Sequence, residues 1–301
     1  MRVERGNTPD PSQGKQGSGK ILCGIAVDRR YSDPMLRISF PCLSALLMLL
    51  GFLTSCSPRS ADGPLPLRVG MELSTPPFEM ADTSGKPDGV SVRMAEAMAQ
   101  KLGRPLQIDV MAFKGLETAL KTGKIDVILS SMTDTPKRRE SLDFSDTYCR
   151  VGLALLVPKD SNVQSAADLN QPSRKIVARL GTTAVDYVKS TLPQAEIVLQ
   201  DQTAACLLEI TQRKADAFIY DQLSILKMHL SQPDTTRALL APLEAGPWAM
   251  AVAKGNPELL GQINAFLKEF RAAGGFDKLA DQYLKAEKAA LAAQGVPFIM
   301  E

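Results

Sequence analysis

The sequence predicts an α/β protein built as two lobes, and three observations carry that prediction. Short runs rich in β-branched and aliphatic residues alternate with segments of helical apolar spacing over roughly residues 66 to 286. Such alternation argues for sheets flanked by helices, with small-molecule sites at the carboxyl ends of the strands. The order strand, hydroxyl-bearing turn, helix occurs in the first half and returns in the second. At 301 residues and 45% apolar content, the chain can bury a core in each of two lobes.

The first 34 residues are polar, without periodicity, and read as a misannotated or disordered extension with Met35 as the true start. Gly14-Lys15-Gln16-Gly17-Ser18-Gly19-Lys20-Ile21 imitates a phosphate-binding loop, but Ile21 stands where Ser or Thr is needed and no strand precedes it. From Met35 the text changes to a secretory signal: Arg37, an apolar run from Leu43 to Leu53, then Leu53-Thr54-Ser55-Cys56. Those four residues resemble the lipobox of bacterial lipoproteins. That implies removal of the signal peptide, residues 35–55, and a lipid on Cys56 that holds the protein to a membrane surface. Taking residues 1–55 away removes seven basic and four acidic residues. The remaining 246 residues then carry 28 against 29, a net charge of −1.

Residues 56–66 form a Ser/Pro/Gly tether. Leu67 to Met71 alternates as a first strand, followed by a proline-bearing loop from Glu72 to Glu79 and the turn Ser84 to Gly89. Val90 to Leu102 is helical, with Val92, Met94, Ala95, Met98 and Leu102 on one face and Gly103 as its stop. Strand Leu106 to Val110, helix Lys114 to Thr122 and strand Ile125 to Leu129 follow. Gly152 to Val157 is a strand whose end, Pro158 to Ser161, is expected to cross to the second lobe. There the pattern resumes: strand Lys175 to Ala178, a helix opened by Gly181-Thr182-Thr183, strand Glu196 to Leu199, helix Thr203 to Arg213, and strand Ala217 to Tyr220. Asp221 begins the next helix, Pro242 to Gly246 crosses back, and Trp248 to Val252 is a strand. Helices over Pro257 to Arg271 and Phe276 to Ala293 close the domain.

The central stretch is Ser130-Ser131-Met132-Thr133-Asp134-Thr135-Pro136-Lys137-Arg138. It joins a buried strand to a helix that Thr135 caps and Pro136 starts. Cations in a first helical turn oppose the helix dipole. Two explanations fit: a bound anion, or neutralisation of Lys137, Arg138 and Arg139 by Asp134, Glu140 and Asp143 on a solvated face. Five cysteines without metal-ligand spacing and one histidine, His229, argue against a metal site or a Ser-His-Asp triad. No cofactor is implied. A net charge of +2 for the whole chain gives no footprint for nucleic acid.

Several motifs in order resemble the extracellular solute-binding family 3, the polar amino-acid-binding proteins of ABC importers. They are Pro76-Pro77-Phe78-Glu79, Gly89, Gly123-Lys124-Ile125-Asp126-Val127-Ile128-Leu129-Ser130-Ser131-Met132, Arg138, Leu142-Asp143-Phe144-Ser145, Gly181-Thr182-Thr183, and Ala215-Asp216-Ala217-Phe218 leading to Asp221. The resemblance implies a type II periplasmic-binding-protein-like fold in which each lobe is a mixed sheet flanked by helices and two hinge strands cross between them. Lobe 1 is expected over 66–155 and 244–287, lobe 2 over 156–243, and a tail over 288–301. It also implies roles. Arg138 grips an α-carboxylate, helped by Thr133 and the amides around Thr182 and Thr183. Asp221 takes the α-ammonium, with Ser130 or Ser131 as further acceptors. Phe113 packs on the ligand side chain. From the residues alone, Asp221 also reads as a plain helix cap and Phe113 as core.

Departures from the family concern the side-chain pocket. Thr75 stands where relatives have an aromatic, and Val90-Ser91-Val92-Arg93 replaces an acidic pattern after Gly89. Glu72 stands where some cation-binding relatives carry an acid, which points to a polar or basic ligand. Glu72, Thr75 and Phe78 therefore join the expected ligand-binding set. The expected protein is a monomeric, periplasmic or otherwise extracytoplasmic lipoprotein that hands an amino acid to a membrane permease. The alternatives are a cyclohexadienyl-dehydratase-like enzyme, with Glu72 or Glu79 as general acid, and a ligand-sensing partner of a membrane receptor.

Overall fold

The strand at Leu142–Pro158 is seventeen residues long and belongs to two sheets at once. This computed structural model describes residues 63–293, 295–296 and 299–300. The expected extension, signal peptide, Cys56 and the tether up to residue 62 lie outside the described residues.

The first sheet has the order β4-β1-β5-β11-β6. Here β1 is Leu67–Met71, β4 Leu106–Val110, β5 Val127–Ile128, β6 Leu142–Pro158 and β11 Ala245–Ala253. β1 pairs in parallel with β4 and β5, whereas β11 runs antiparallel to β5 and β6. The second sheet has β9 (Ala217–Asp221) antiparallel to the far half of β6. It continues with β7 (Lys175–Arg179) and β8 (Glu196–Gln200) in parallel. β10 (Thr236–Leu239) pairs with the end of β6, and a short β2–β3 hairpin, Met80–Ala81 with Pro87–Asp88, stands apart. Each sheet is mixed and helix-flanked, so the molecule is a two-lobed α/β fold.

β6 changes partners within one peptide. Residues up to Gly152 face β11, and Leu153 onward face β9. The crossover therefore lies at Gly152–Leu153, not at Pro158–Ser161 as the turn residues suggested. The apolar run from Val151 to Val157 is buried on both sides and keeps the chain extended through the junction. Leu153 also exchanges backbone hydrogen bonds with Leu243 and Glu244, 2.8 and 2.9 Å, which lays the return strand beside the outgoing one.

The helices follow the sequence pattern. α1 (Val90–Lys101) buries Val90, Val92, Met94, Ala95 and Met98. Gly89 opens it at φ 117°, where a Cβ would lie 2.6 Å from the Pro77 carbonyl oxygen. α2 (Phe113–Lys121) packs Leu116, Ala119 and Leu120 under the first sheet. α3 is the single turn Pro136–Arg139, capped by Thr135, whose side chain accepts the Arg138 amide at 3.2 Å. The second lobe carries α4 (Thr183–Thr191), α5 (Thr203–Thr211) and α6 (Gln222–Ser231). α7 (Pro257–Ala272) covers the first lobe. The single helix expected over 276–293 is two, α8 (Gly275–Tyr283) and α9 (Lys285–Ala292), turned at the fully buried Leu284. The tail adds a further strand, β12 (Ile299–Met300), beside Cys149–Arg150. Cys149 and Cys206 are buried and not bridged to each other. No described helix is long and apolar enough to cross a membrane.

Candidate functional site

Four strands end at one place. β1 runs out at Met71 before Thr75, β5 at Ile128 before Ser130 and Ser131, β7 at Arg179 before Thr182 and Thr183, and β9 at Asp221. Around these ends lies a cleft of about 190 Å³ lined from both lobes. A single water needs only about 10–15 Å³ on the same kind of measure, so the space suits a small solute. The hinge residues Gly152 and Leu153 form its back, and Trp248 enters its wall because β11 bridges to Thr133.

Charge is distributed unevenly over the walls. Arg138 is 8% exposed. It donates from Nη1 to the Thr133 carbonyl at 2.7 Å and from Nη2 to the Gly181 carbonyl, across the lobes, at 2.9 Å. Its Nε lies 3.4 Å from Glu117. Burial lowers its basicity, partly offset by Glu117. A guanidinium carries five N–H donors, so two remain for another acceptor. Thr182 and Thr183 begin α4 on the facing wall, and the first amides of a helix are suited to an anion. Asp221 is the opposite case. It is buried and caps α6 by accepting the Ser224 amide at 2.8 Å, and among the described residues no cation pairs with it. Burial pushes its carboxyl above the usual value. An unpaired buried carboxylate is costly unless something positive joins it.

The cation-rich first turn of α3 resolves into three separate fates. Arg139 bonds Asp134, with Nε to Oδ1 at 2.6 Å, and Lys137 reaches Asp186 of the second lobe at 2.9 Å. Arg138 alone turns inward. Of the neutralisation that the sequence offered, the Arg139–Asp134 pair is present, Lys137 takes Asp186 instead, and Arg138 is the cation left facing the cleft.

Residues 67–286 match the bacterial extracellular solute-binding proteins, family 3. The chain belongs to that family. This solute-binding protein is 29% identical over 242 residues to the arginine-binding extracellular protein ArtP of Bacillus subtilis, covering 78% of this chain and 94% of the relative. It is 27% identical over 224 residues to the Bacillus subtilis ABC transporter glutamine-binding protein GlnH, covering 73% and 81%. Among solved structures, an ancestral arginine-binding protein bound to arginine superposes with a TM-score of 0.69 at 33% identity, covering 73% of this chain and 98% of the other. A binding component of an ABC transporter from Wolinella succinogenes, complexed with lysine, gives 0.69 at 31%, covering 74% and 97%.

In this solute-binding protein Arg138, Asp221, Ser130, Ser131, Thr133, Thr182, Thr183, Phe113 and Thr75 line the cleft together. Glu72 and Phe78 do not. Phe78 is 1% exposed and packs edge-on against Trp248, ring centroids 5.1 Å apart, so it supports the wall from behind. Glu72 forms an ion pair with Arg179 and accepts the Ser74 hydroxyl at 2.8 Å. The two serines are partly engaged as well: Ser130 Oγ accepts the Glu72 amide at 3.0 Å, and Ser131 donates to Glu79 at 2.8 Å. Ser131 sits in left-handed backbone, φ 48°, which aims its side chain at that acid. Glu79 is itself fully buried and accepts from Ser91. Burial, with a smaller push from the Asp221 charge, raises its carboxyl to about 8 against the pull of Ser91 and Ser131.

Sequence reasoning missed Tyr220, Glu244 and Trp248 on the lining and Arg179 behind it. Tyr220 adjoins Asp221, and Arg179 is the one charge that closes an otherwise apolar strand end, so both carried a readable signal. Trp248 and Glu244 reach the cleft only through the pairing of β11 with β6, which joins residues about a hundred positions apart.

Proposed function

We propose that this protein is the substrate-binding component of an ABC-type importer for an amino acid, trapping the zwitterion as its lobes close and delivering it to a membrane permease. The observation that carries the reading is the pairing of unlike, incompletely satisfied charges on one cleft: Arg138 with donors to spare and Asp221 without a cation. An α-carboxylate completes the first and an α-ammonium the second, through charge-assisted bonds of roughly 1.5–3 kcal/mol each. Neither lobe alone offers both, so a zwitterion favours the closed arrangement over the open one. The relatives' names, which specify arginine and glutamine, support an amino-acid ligand. Cys56 as a lipidated N-terminus, a monomeric state and an extracytoplasmic location complete the proposal. Its domain scheme is lobe 1 over 66–155 and 244–287, lobe 2 over 156–243, the tether 56–66 and the tail 288–301, with the first lobe boundary moved back to the Gly152–Leu153 crossing.

The test is calorimetric titration of the purified protein with the proteinogenic amino acids, beside Arg138→Ala. At least one amino acid binds the unaltered chain. The variant loses roughly 2–5 kcal/mol, which is about a thirtyfold to several-thousandfold weakening. Unchanged affinity in Arg138→Ala removes the carboxylate assignment. The enzyme alternative has little support from its two candidate acids, because Glu72 is tied to Arg179 and Glu79 lies buried beneath Ser131. Loss of prephenate or arogenate on incubation with the protein would revive it.

A further inference from the structure

On the far side of Phe113 lies a second cavity of about 240 Å³, lined by Phe113, Lys114, Arg179 and Asp201 among others. Phe113 is the partition: it lines both cavities, with the Arg138 guanidinium 5.6 Å from its centroid and the Arg179 guanidinium 5.9 Å from it. With an α-carboxylate on Arg138 and an α-ammonium on Asp221, the wall left for a side chain includes Phe113, which Arg179 backs. Arg179 is only 2% exposed and is held on several sides. Its Nη2 pairs with Glu72 of the other lobe, Nη1 reaches the Tyr220 hydroxyl at 3.1 Å, and Nε donates to the Asp201 carbonyl at 3.0 Å.

Among the described residues, the two acids beside Arg179 and its cavity already have their own cations. Glu72 has Arg179, and Asp201 has Lys114 at 2.9 Å. A positive side chain arriving there is one cation too many, next to a guanidinium that cannot move away or lose its proton. A negative one would have to separate an existing pair or go uncompensated, at the cost of a desolvated charge. An uncharged side chain faces neither penalty. Glu244, the acid on the opposite, hinge side of the cleft, is exposed and screened by water, so it does not replace the acid that Arg179 has taken.

We infer that the built-in Arg179–Glu72 pair sets the specificity of this protein for amino acids with uncharged side chains, and that it excludes arginine and lysine. The inference rests on the amino-acid-binding reading above. It reverses what Glu72 suggested in the sequence, since the acid that pointed to a basic ligand is spent on the protein's own arginine. Discrimination here works by an unfavourable encounter with the wrong ligand as much as by a good fit to the right one.

The experiment is titration of the full chain, and of Arg179→Gln and Arg179→Lys, with the twenty proteinogenic amino acids. In the unaltered protein the tightest ligand has an uncharged side chain, and arginine and lysine bind at least tenfold more weakly or not at all. Arg179→Gln releases Glu72, so the affinity for arginine or lysine rises at least tenfold relative to that uncharged ligand. Arg179→Lys keeps the positive charge beside Glu72 and keeps the original preference, which separates charge from a merely structural role. Arginine, lysine, aspartate or glutamate as the tightest ligand of the unaltered protein overturns the inference, whatever the variants do. An unchanged ratio in a folded Arg179→Gln overturns the role of Arg179. Binding of none of the twenty instead defeats the amino-acid reading itself, and this inference with it.

Discussion

Glu79 shows how one residue beneath the cleft floor can set a pH dependence. Its carboxyl is raised to about 8 in the folded chain by burial, against about 4.5 when solvated. A raised folded value means that the folded state binds the extra proton between those limits. Stability from this group is therefore complete below about 4.5 and is lost as pH climbs through about 8. Glu79→Gln keeps the shape and removes the titration. Denaturant melts at pH 5, 7 and 9 are expected to show the variant gaining on the unaltered protein as pH rises, with most of the gain reached by pH 9. A difference independent of pH would place the ionisation of Glu79 outside this window. Because Ser131 bonds this acid and lines the cleft, the same titration reaches the binding wall.

At the scale of the elements, the local signals were legible and the long-range pairings were not. The buried strand after Gly123, the Thr135 cap with Pro136, and the cap at Asp221 could all be read from neighbouring residues, because caps and prolines act within a turn of the chain. The extent of β6 could not, since Pro158 looks like a turn until its partners on both sides are known. For the same reason the sequence placed Arg138 and Asp221 in the cleft but left out Trp248, which reaches it only from a strand pairing. The junction in β6 makes a prediction of its own. Gly152 donates its amide to Gln222 Oε1 at 2.7 Å, and Gln222 in turn donates to the Leu240 carbonyl at 2.7 Å, which ties the outgoing strand to the segment leading back. A Cβ at Gly152 would lie 2.7 Å from Pro242 Cβ and 3.0 Å from that same oxygen. Gly152→Ala is expected to destabilise by about 1–3 kcal/mol, the range for overpacking a tight site. Gly115→Ala is the contrast: in α2, with no atom within 4 Å of its added methyl, it is expected to stabilise by roughly 0.5–1 kcal/mol. Urea midpoints of the two variants decide it, and similar midpoints would mean that the β6 junction has slack.

For the molecule as a whole, β6 makes the two lobes a single mechanical unit. The same strand is flanked by β11 and β12 in the first sheet and by β9 and β10 in the second, so neither lobe can melt without releasing a strand from the other. Contacts across the cleft add to this: Arg138 to the Gly181 carbonyl, Arg179 to Glu72, and Lys114 to Asp201. A solute that binds only the closed arrangement should then stabilise both lobes together. At a hundred times its dissociation constant, such a ligand contributes about 2.7 kcal/mol. For a domain of this size each kcal/mol moves the melting temperature by roughly 2–4 °C, so a single transition should rise by roughly 5–10 °C. Scanning calorimetry with the tightest amino acid at that excess tests both halves of the argument. Two transitions, of which the ligand shifts only one, would mean that β6 does not couple the lobes and that the ligand is held by one wall of the cleft alone.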